Sequence, residues 1–375
     1  MNLYITADLV GLPTGGGAVT YHESLALTEL GDCLIWDREQ LLPFAKGEDP
    51  WCWDEAALLK LQYSDITPEH VHLYAGTFTK TVLTIKDRWP ECKVTYTAAA
   101  HNIETSKIAH TLAGWAFHYP HLTDPVQWED YVEGYRKADV VICPSTHSAE
   151  CMYSYGCMRI QIIPHGCEIP STLEAKKELG FSNFVVGYLG AYGPDKGVAT
   201  LIEAWRLLNY KNSECLLLGG RDSTSPYFQS QLRSLLGNEI TFQQNVDGKT
   251  LRVLIPNCGI IYLGGWFDSV SDFYREIDLY VQPSLTEGFG IEVLEAMAHG
   301  KPVLCSRGAG AVDLIKESSR FVPNDPRALA DHIERDRLYL KQYGGKDWGQ
   351  FNRELAMALS WEKVRKLYGD FWRSL

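Results

Sequence analysis

The chain has 375 residues, 45% of them hydrophobic and 22% charged, which excludes a disordered or fibrous protein and suits two globular domains. Its net charge of −12 is unevenly placed: residues 1–170 carry 11 Lys and Arg against 22 Asp and Glu, and residues 171–375 carry 24 against 25. An acidic first half is repelled by nucleic acid and by anionic lipid, and no run of about 18 uncharged apolar residues occurs, so neither a nucleic-acid partner nor an integral membrane segment is expected.

The first residues, MNLYITADLV, read as a buried strand and not as a secretory leader. The ten cysteines form no CxxC pair and read as reduced, mostly buried thiols of a cytoplasmic protein. After a strand at Leu3–Ala7 comes the glycine loop Gly11–Gly17, then a helix at Ala18–Leu30. A strand, a triple glycine and a helix form an arrangement that cradles phosphate. Strand-like runs recur at Cys33–Trp36, Val71–Tyr74, Lys93–Thr97, Val140–Cys143 and Ile160–Ile163, with helical runs at Glu55–Gln62, Phe78–Trp89, Ser106–Leu112, Gln127–Ala138 and Ser148–Tyr155. This alternation predicts a parallel, doubly wound sheet.

The segment IIPHGCEIP, 162–170, has the prolines and glycine of a linker, and a hinge role is expected for His165 and Glu168. A second alternating pattern follows. Strands are predicted at Phe184–Leu189, Cys215–Leu218, Ile240–Phe242, Ile260–Leu263, Leu279–Val281 and Val303–Leu304. Helices are predicted at Val198–Leu208, Tyr227–Leu236, Leu251–Ile255, Val270–Arg275 and Ile291–His299, with Pro326–Tyr343, Trp348–Leu359 and Trp361–Trp372 closing the chain.

The stretch Asp278–Ser306, DLYVQPSLTEGFGIEVLEAMAHGKPVLCS, reads as strand, glycine loop, helix and strand. Glu287 and Glu295 stand eight positions apart on either side of the helix start. The glycines let backbone approach a ligand, and the helix start offers N–H groups to a phosphate. Glu292, in the first turn, reads as a capping or solvated carboxylate. Ser145 and His147 follow a strand end, where they either touch an acceptor or begin a helix. Trp266, after Gly264-Gly265, either stacks on a nucleobase or packs in the core. His118 and His121 lack a third ligand at metal-binding spacing and read as loop or acceptor-side residues.

EGFGIEVLEAMAHGKPVL resembles the glutamate-pair signature of the retaining GT-B glycosyltransferases of family four, which use nucleotide sugars. Gly15–Gly17, Asp139–Ser145, Ile162–Glu168, Tyr188–Gly197 and the C-terminal SWEKVRKLYGDFW resemble further segments of that family. The resemblance implies two Rossmann-like α/β domains facing across a cleft. An acceptor-binding domain would span 1–167, completed by a crossing helix at 361–375. A donor-binding domain would span 168–360, with closure over the linkers near 165–183 and 358–361. It implies that Glu295 accepts hydrogen bonds from the donor ribose, that Glu287 contacts the donor sugar, and that Gly288, Phe289 and Gly290 present backbone N–H groups. Lys196 would balance the diphosphate, His101 would approach the sugar, and Gly16 and Gly17 would lie near the donor phosphate or the acceptor. The family's arginine five or six residues before the lysine is absent here, where Ala191 and Gly190 stand, and Arg221 is the candidate replacement.

The expected reaction is glycosyl transfer with retained configuration from a UDP- or GDP-sugar to a small-molecule, glycan or protein hydroxyl. Leaving-group assistance on the same face is expected, with no cofactor and, for want of an Asp-X-Asp motif, no catalytic metal. The alternatives are a non-catalytic nucleotide-sugar or glycan binder and a sugar-nucleotide epimerase on the same fold.

Overall fold

A computed structural model describes all residues except 13, 48–51, 75–76, 99–101, 114–123, 174–183, 211–213, 221–222, 245–249, 256–257, 268 and the side chain at 258. The chain forms two compact units: Met1–His101 with Phe117–Gly166 and Trp361–Leu375, and Asn102–Ala116 with Cys167–Ser360.

The first unit is built on a parallel sheet of β1 (Asn2–Thr6), β2 (Cys33–Trp36), β3 (His70–Tyr74), β4 (Lys93–Thr97), β5 (Val140–Cys143) and β6 (Ile160–Ile162), in the order β2-β1-β3-β4-β5-β6. Side chains alternate faces along a strand. Leu3, Ile5, Val71, Leu73, Val94 and Tyr96 fall on one face and join a continuous apolar core. The intervening Tyr4, His70, His72, Thr95 and Thr97 are polar and buried.

Helices Gly15–Thr28 and Trp361–Arg373 cover that polar face and pack on each other. The fully buried Glu23 carboxylate accepts from the Tyr4 hydroxyl at 2.9 Å and the Thr97 hydroxyl at 2.7 Å, and lies 3.2 Å from His72 Nε2. His72 Nδ1 and His70 Nε2 each lie 2.8 Å from the Thr95 hydroxyl, and Trp372 packs on the His72 ring at 4.9 Å. Burial acts to raise the Glu23 pKa, but His72 and the hydroxyl donors outweigh it and hold the carboxyl below its ordinary value. The sheet's alternation thus turns a row of polar side chains into the seat of the C-terminal helix.

The second unit carries β7 (Val185–Leu189), β8 (Cys215–Gly219), β9 (Thr241–Gln244), β10 (Leu251–Ile255), β11 (Cys258–Gly265), β12 (Leu279–Gln282), β13 (Val303–Ser306) and β14 (Arg320–Phe321). They lie in the order β14-β13-β12-β7-β8-β11-β10-β9. All neighbouring pairs are parallel except those of β10, which runs antiparallel to β9 and β11. The central strands are apolar throughout because helices cover both faces.

Three expectations are corrected. Leu251–Ile255 is a strand and not a helix. Leu251–Leu254 pair with Thr241–Gln244 on one side, all five residues pair with β11 on the other, and Val253 and Ile255 are buried with a period of two. Gly15–Gly17 form the first turn of a helix and not a preceding loop, because Thr14 caps it by accepting the Gly17 N–H at 3.1 Å. The helix Ile103–Leu112 belongs to the second unit and not the first. The Asn102 N–H donates to the Thr286 hydroxyl at 2.9 Å, and the helix lies against the 3₁₀ turn Pro194–Lys196.

Within the second unit, the loops after β7 and β12 are locked together. The Leu285 N–H donates to the Asp195 carbonyl at 2.8 Å. Gly197 has φ 67°, and a Cβ there would sit 2.0 Å from the Pro283 carbonyl oxygen. No other residue fits both the left-handed backbone and that approach.

Two predictions follow from the packing. His72→Phe removes the imidazole that lies 3.2 Å from the buried Glu23 carboxylate and is expected to cost about 1–3 kcal/mol in urea unfolding, with Glu23→Gln added to it restoring part of the loss. Because the folded Glu23 pKa is depressed, that gap is present above the ordinary carboxylate range and closes as pH falls through the folded value. Gly197→Ala is expected to lower the melting temperature well beyond Gly237→Ala, which at φ 92° carries the backbone strain but has nothing within 4 Å of the added methyl.

Candidate functional site

In the second unit, the C-terminal ends of β7 and β12 bring together Lys196, Glu287, Gly288, Phe289, Gly290 and Glu295 of the predicted donor-side residues, at the sheet edge where ligands of open α/β sheets bind. After β12, the chain passes Pro283–Gly290 into the helix Ile291–Ala298. Gly290, at φ 96°, takes the cap position, and the helix's first-turn N–H groups point out of its start.

The loop is held by backbone bonds. The Glu287 N–H donates to the Gly308 carbonyl at 2.9 Å, the Gly310 N–H to Glu287 at 3.0 Å and the Ala311 N–H to Phe289 at 2.7 Å. The Phe289 ring is buried in the apolar core, so this residue offers the site backbone and not side chain.

The Lys196 ammonium pairs with the Glu287 carboxylate. Burial works against the lysine's charge, but Glu287 and Asp195 outweigh it and raise its pKa above the ordinary range. Glu295 is raised by burial and partly relieved by the Tyr274 hydroxyl, which donates to it at 3.0 Å. Tyr274 comes from the helix Val270–Glu276 and stacks on His299 at 4.8 Å. The Nδ1 of His299 lies 2.7 Å from the Glu295 carbonyl, and its Nε2 lies 2.8 Å from the Ser271 hydroxyl. Glu292 stands in the first turn, as read from the sequence, but is not simply solvated. Burial, then Glu287 and Glu295, push its pKa up to about 7.

One lysine therefore sits among three glutamates and Asp195. Carboxylates of this kind are suited to accept hydrogen bonds from hydroxyl groups. Lys196 and the free N–H groups of the helix start are suited to attract an anion.

Trp266 is 50% exposed and so is not a core side chain. The neighbouring Phe267 does the packing instead, 5.4 Å from Phe273 and close over Gly264. Gly16, Gly17, Ser145 and His147 lie in the first unit, beyond the C-terminal ends of β1 and β5. A Cβ on Gly17 would meet the Leu12 carbonyl at 2.2 Å, and one on Gly16 would lie 3.4 Å from the Asp8 carboxylate. Burial raises the Asp8 pKa. Ser145 caps the helix Thr146–Ser154, accepting the Ser148 N–H at 3.0 Å, and His147 follows in its first turn. His101, His118, His121 and Arg221 lie outside the described residues.

Sequence reasoning missed Tyr274, which reaches Glu295 from another helix with no spacing to announce it. It also understated Glu292, although the three-residue step to Glu295 puts the two on one helix face. Among the described residues no group of three or more His, Cys, Asp or Glu side chains is arranged to hold a metal ion, and no helix is long and apolar enough to cross a membrane.

Residues 183–335 match the family model described as Glycosyl transferases group 1. The capsular polysaccharide biosynthesis glycosyltransferase CapM of Staphylococcus aureus is 24% identical over 197 residues, 50% of this chain and 47% of that protein. The chain thus spans about half the length of the curated relatives it matches. Two solved structures align with all of this chain. The sucrose-phosphate synthase of Thermosynechococcus elongatus does so with TM-score 0.71, 17% identity and 98% of its own chain. Anabaena HepE in complex with UDP-glucose does so with TM-score 0.70, 16% identity and 100% of its own chain. At these identities the likeness shows the fold. The chain has the GT-B fold, and within its second unit residues 183–335 match the glycosyl transferases group 1.

Proposed function

We propose that this chain is a retaining hexosyltransferase that moves a sugar from a nucleotide-diphosphate donor, a UDP- or GDP-sugar foremost, to a hydroxyl acceptor, without a catalytic metal. The second unit, Cys167–Ser360 with Asn102–Ala116, binds the donor, and the first unit binds the acceptor. The observation that carries this reading is the placement of Lys196, Glu287, Glu295 and the start of the helix Ile291–Ala298 on one sheet edge. The UDP-glucose bound to HepE, which shares the fold, favours a uridine nucleotide. A cytoplasmic setting agrees with Cys143, Cys151, Cys157 and Cys167 being thiols and not disulfides.

In this reading the bond from the anomeric carbon to the diphosphate oxygen breaks as the acceptor oxygen bonds to that carbon on the same face. The acceptor proton passes to the departing phosphate. Lys196 exchanges Glu287 for phosphate oxygens and, with the helix-start amides, stabilises the charge on the leaving group. Glu287, released, takes sugar hydroxyls. Glu295, oriented by Tyr274, takes the ribose hydroxyls. The neutral form of Glu292 keeps one negative charge away from the incoming diphosphate.

The experiment is release of free nucleotide from UDP-, GDP- and ADP-sugars with and without hydroxyl acceptors. Release with at least one donor is expected, and none with any donor would overturn transfer in favour of a binder. Glu295→Ala is expected to weaken nucleotide binding by about 10- to 100-fold, measured calorimetrically. Lys196→Ala is expected to lower kcat by about 100-fold or more, and Glu287→Ala to reduce transfer more than nucleotide affinity.

Glu292 also sets a pH dependence. Its folded pKa of about 7 lies above its ordinary value, so its contribution to stability is present at low pH and is lost as pH rises through 7. Glu292→Gln is therefore expected to raise the melting temperature relative to wild type at pH 8 and to do so less at pH 5.

A further inference from the structure

A second pocket of about 360 Å³ lies in the second unit and shares no lining residue with the site around Lys196 and Glu287. That volume falls within the ~300–1,000 Å³ range of small-molecule sites. Lys316 lines it from the segment just before β14, at the N-terminal edge of that strand, whereas the donor-side residues gather at C-terminal strand ends. Arg335, Asp336 and Tyr339 come from the helix Pro326–Tyr343, and Asp347 and Trp348 from the first turn of the helix Lys346–Ala358.

Asp336 is the informative residue. Its side chain is 3% exposed although it belongs to the lining. The Oδ1 atom takes the Arg335 guanidinium, with Nε at 2.7 Å. The Oδ2 atom is buried with no hydrogen-bond partner among the described residues. A buried carboxylate oxygen without a partner costs free energy, and a ligand hydroxyl would relieve it. Burial pushes the Asp336 pKa up to about 6, so near neutral pH it is chiefly a carboxylate that accepts from a ligand hydroxyl.

The surrounding chemistry selects the ligand. Lys316 and Arg335 are matched by Asp336 and Asp347, so the lining carries no net charge and gives a phosphate or nucleotide no advantage. The Tyr339 and Trp348 rings meet at 6.3 Å and 74°, forming an aromatic corner. Tyr339 is 45% exposed, so its ring is open to a ligand. An aromatic corner beside an unsatisfied buried carboxylate suits a molecule with an apolar C–H face and a rim of hydroxyls.

We infer that the pocket formed by Asp336, Tyr339 and Trp348 is a carbohydrate-binding site for a neutral sugar unit of a glycan, separate from the donor site. The inference stands on this pocket alone and does not depend on the reaction proposed above.

The test is saturation-transfer difference NMR on the full chain with maltotriose, cellotriose and mannotriose as probes, without nucleotide. Transfer to ring C–H protons is expected for at least one probe. It should be unaffected by saturating UDP and by Lys196→Ala, and reduced at least about tenfold by Trp348→Ala and by Asp336→Asn. Tyr339→Ala, at an exposed position that tolerates change, supplies the same test should either of those variants unfold. Absence of transfer with all three trisaccharides overturns the inference. So does transfer that survives Tyr339→Ala, that UDP abolishes, or that inorganic phosphate displaces.

Discussion

The Asp195 carbonyl accepts the Leu285 N–H at 2.8 Å, and the second unit's site depends on that bond. It joins the loop that carries Lys196 to the loop that carries Glu287, at the ends of two neighbouring parallel strands. Gly197 makes the joint possible, since any side chain there would strike the Pro283 carbonyl. The far side is pinned in the same way, with a Cβ on Gly308 coming within 2.3 Å of the Leu285 carbonyl and the 287–289 backbone bonded to 308–311. A lysine and a glutamate 91 positions apart are thus brought into contact by backbone geometry, before their charges contribute.

That geometry concentrates charge in a way a folded protein does not need for stability. Burial and neighbouring carboxylates raise Glu292, and burial raises Glu295, while Lys196 is kept charged by the acids around it. Shifted groups gathered at a strand edge are what a site built to meet a charged ligand requires, whereas stability alone would favour apolar packing there. In the first unit the comparable buried polar cluster has another purpose. Glu23, His72, Tyr4 and Thr97 satisfy one another, and they lie where the C-terminal helix packs.

Much of this was legible in the sequence. The alternation of apolar runs and helical spacings revealed a parallel sheet in the first unit and the parallel part of the sheet in the second, and the Glu287–Glu295 spacing located the helix start with its glycine cap. Three kinds of information were not local. Leu251–Ile255 becomes a strand through partners on both sides, and a five-residue segment with four apolar residues has no period long enough to say so. Gly15–Gly17 look like a loop, but a Thr14 cap and the close approach of Leu12 make them a helix turn. The helix Ile103–Leu112 joins the second unit through Asn102 and Thr286, a contact across 184 positions that no window of sequence contains. Tyr274 and Asp336 were invisible for the same reason: each matters through a group on another element or through a partner it lacks.

The central claim is that the edge formed by Lys196, Glu287, Gly288–Gly290 and Glu295 holds a nucleotide-diphosphate sugar. A crystal structure of the chain with the donor that it hydrolyses or transfers tests this most directly. The account predicts the diphosphate against Lys196 and the start of the helix Ile291–Ala298, with the ribose hydroxyls on Glu295 and the Lys196–Glu287 pair opened. A donor bound elsewhere, or bound with that pair intact, would contradict it.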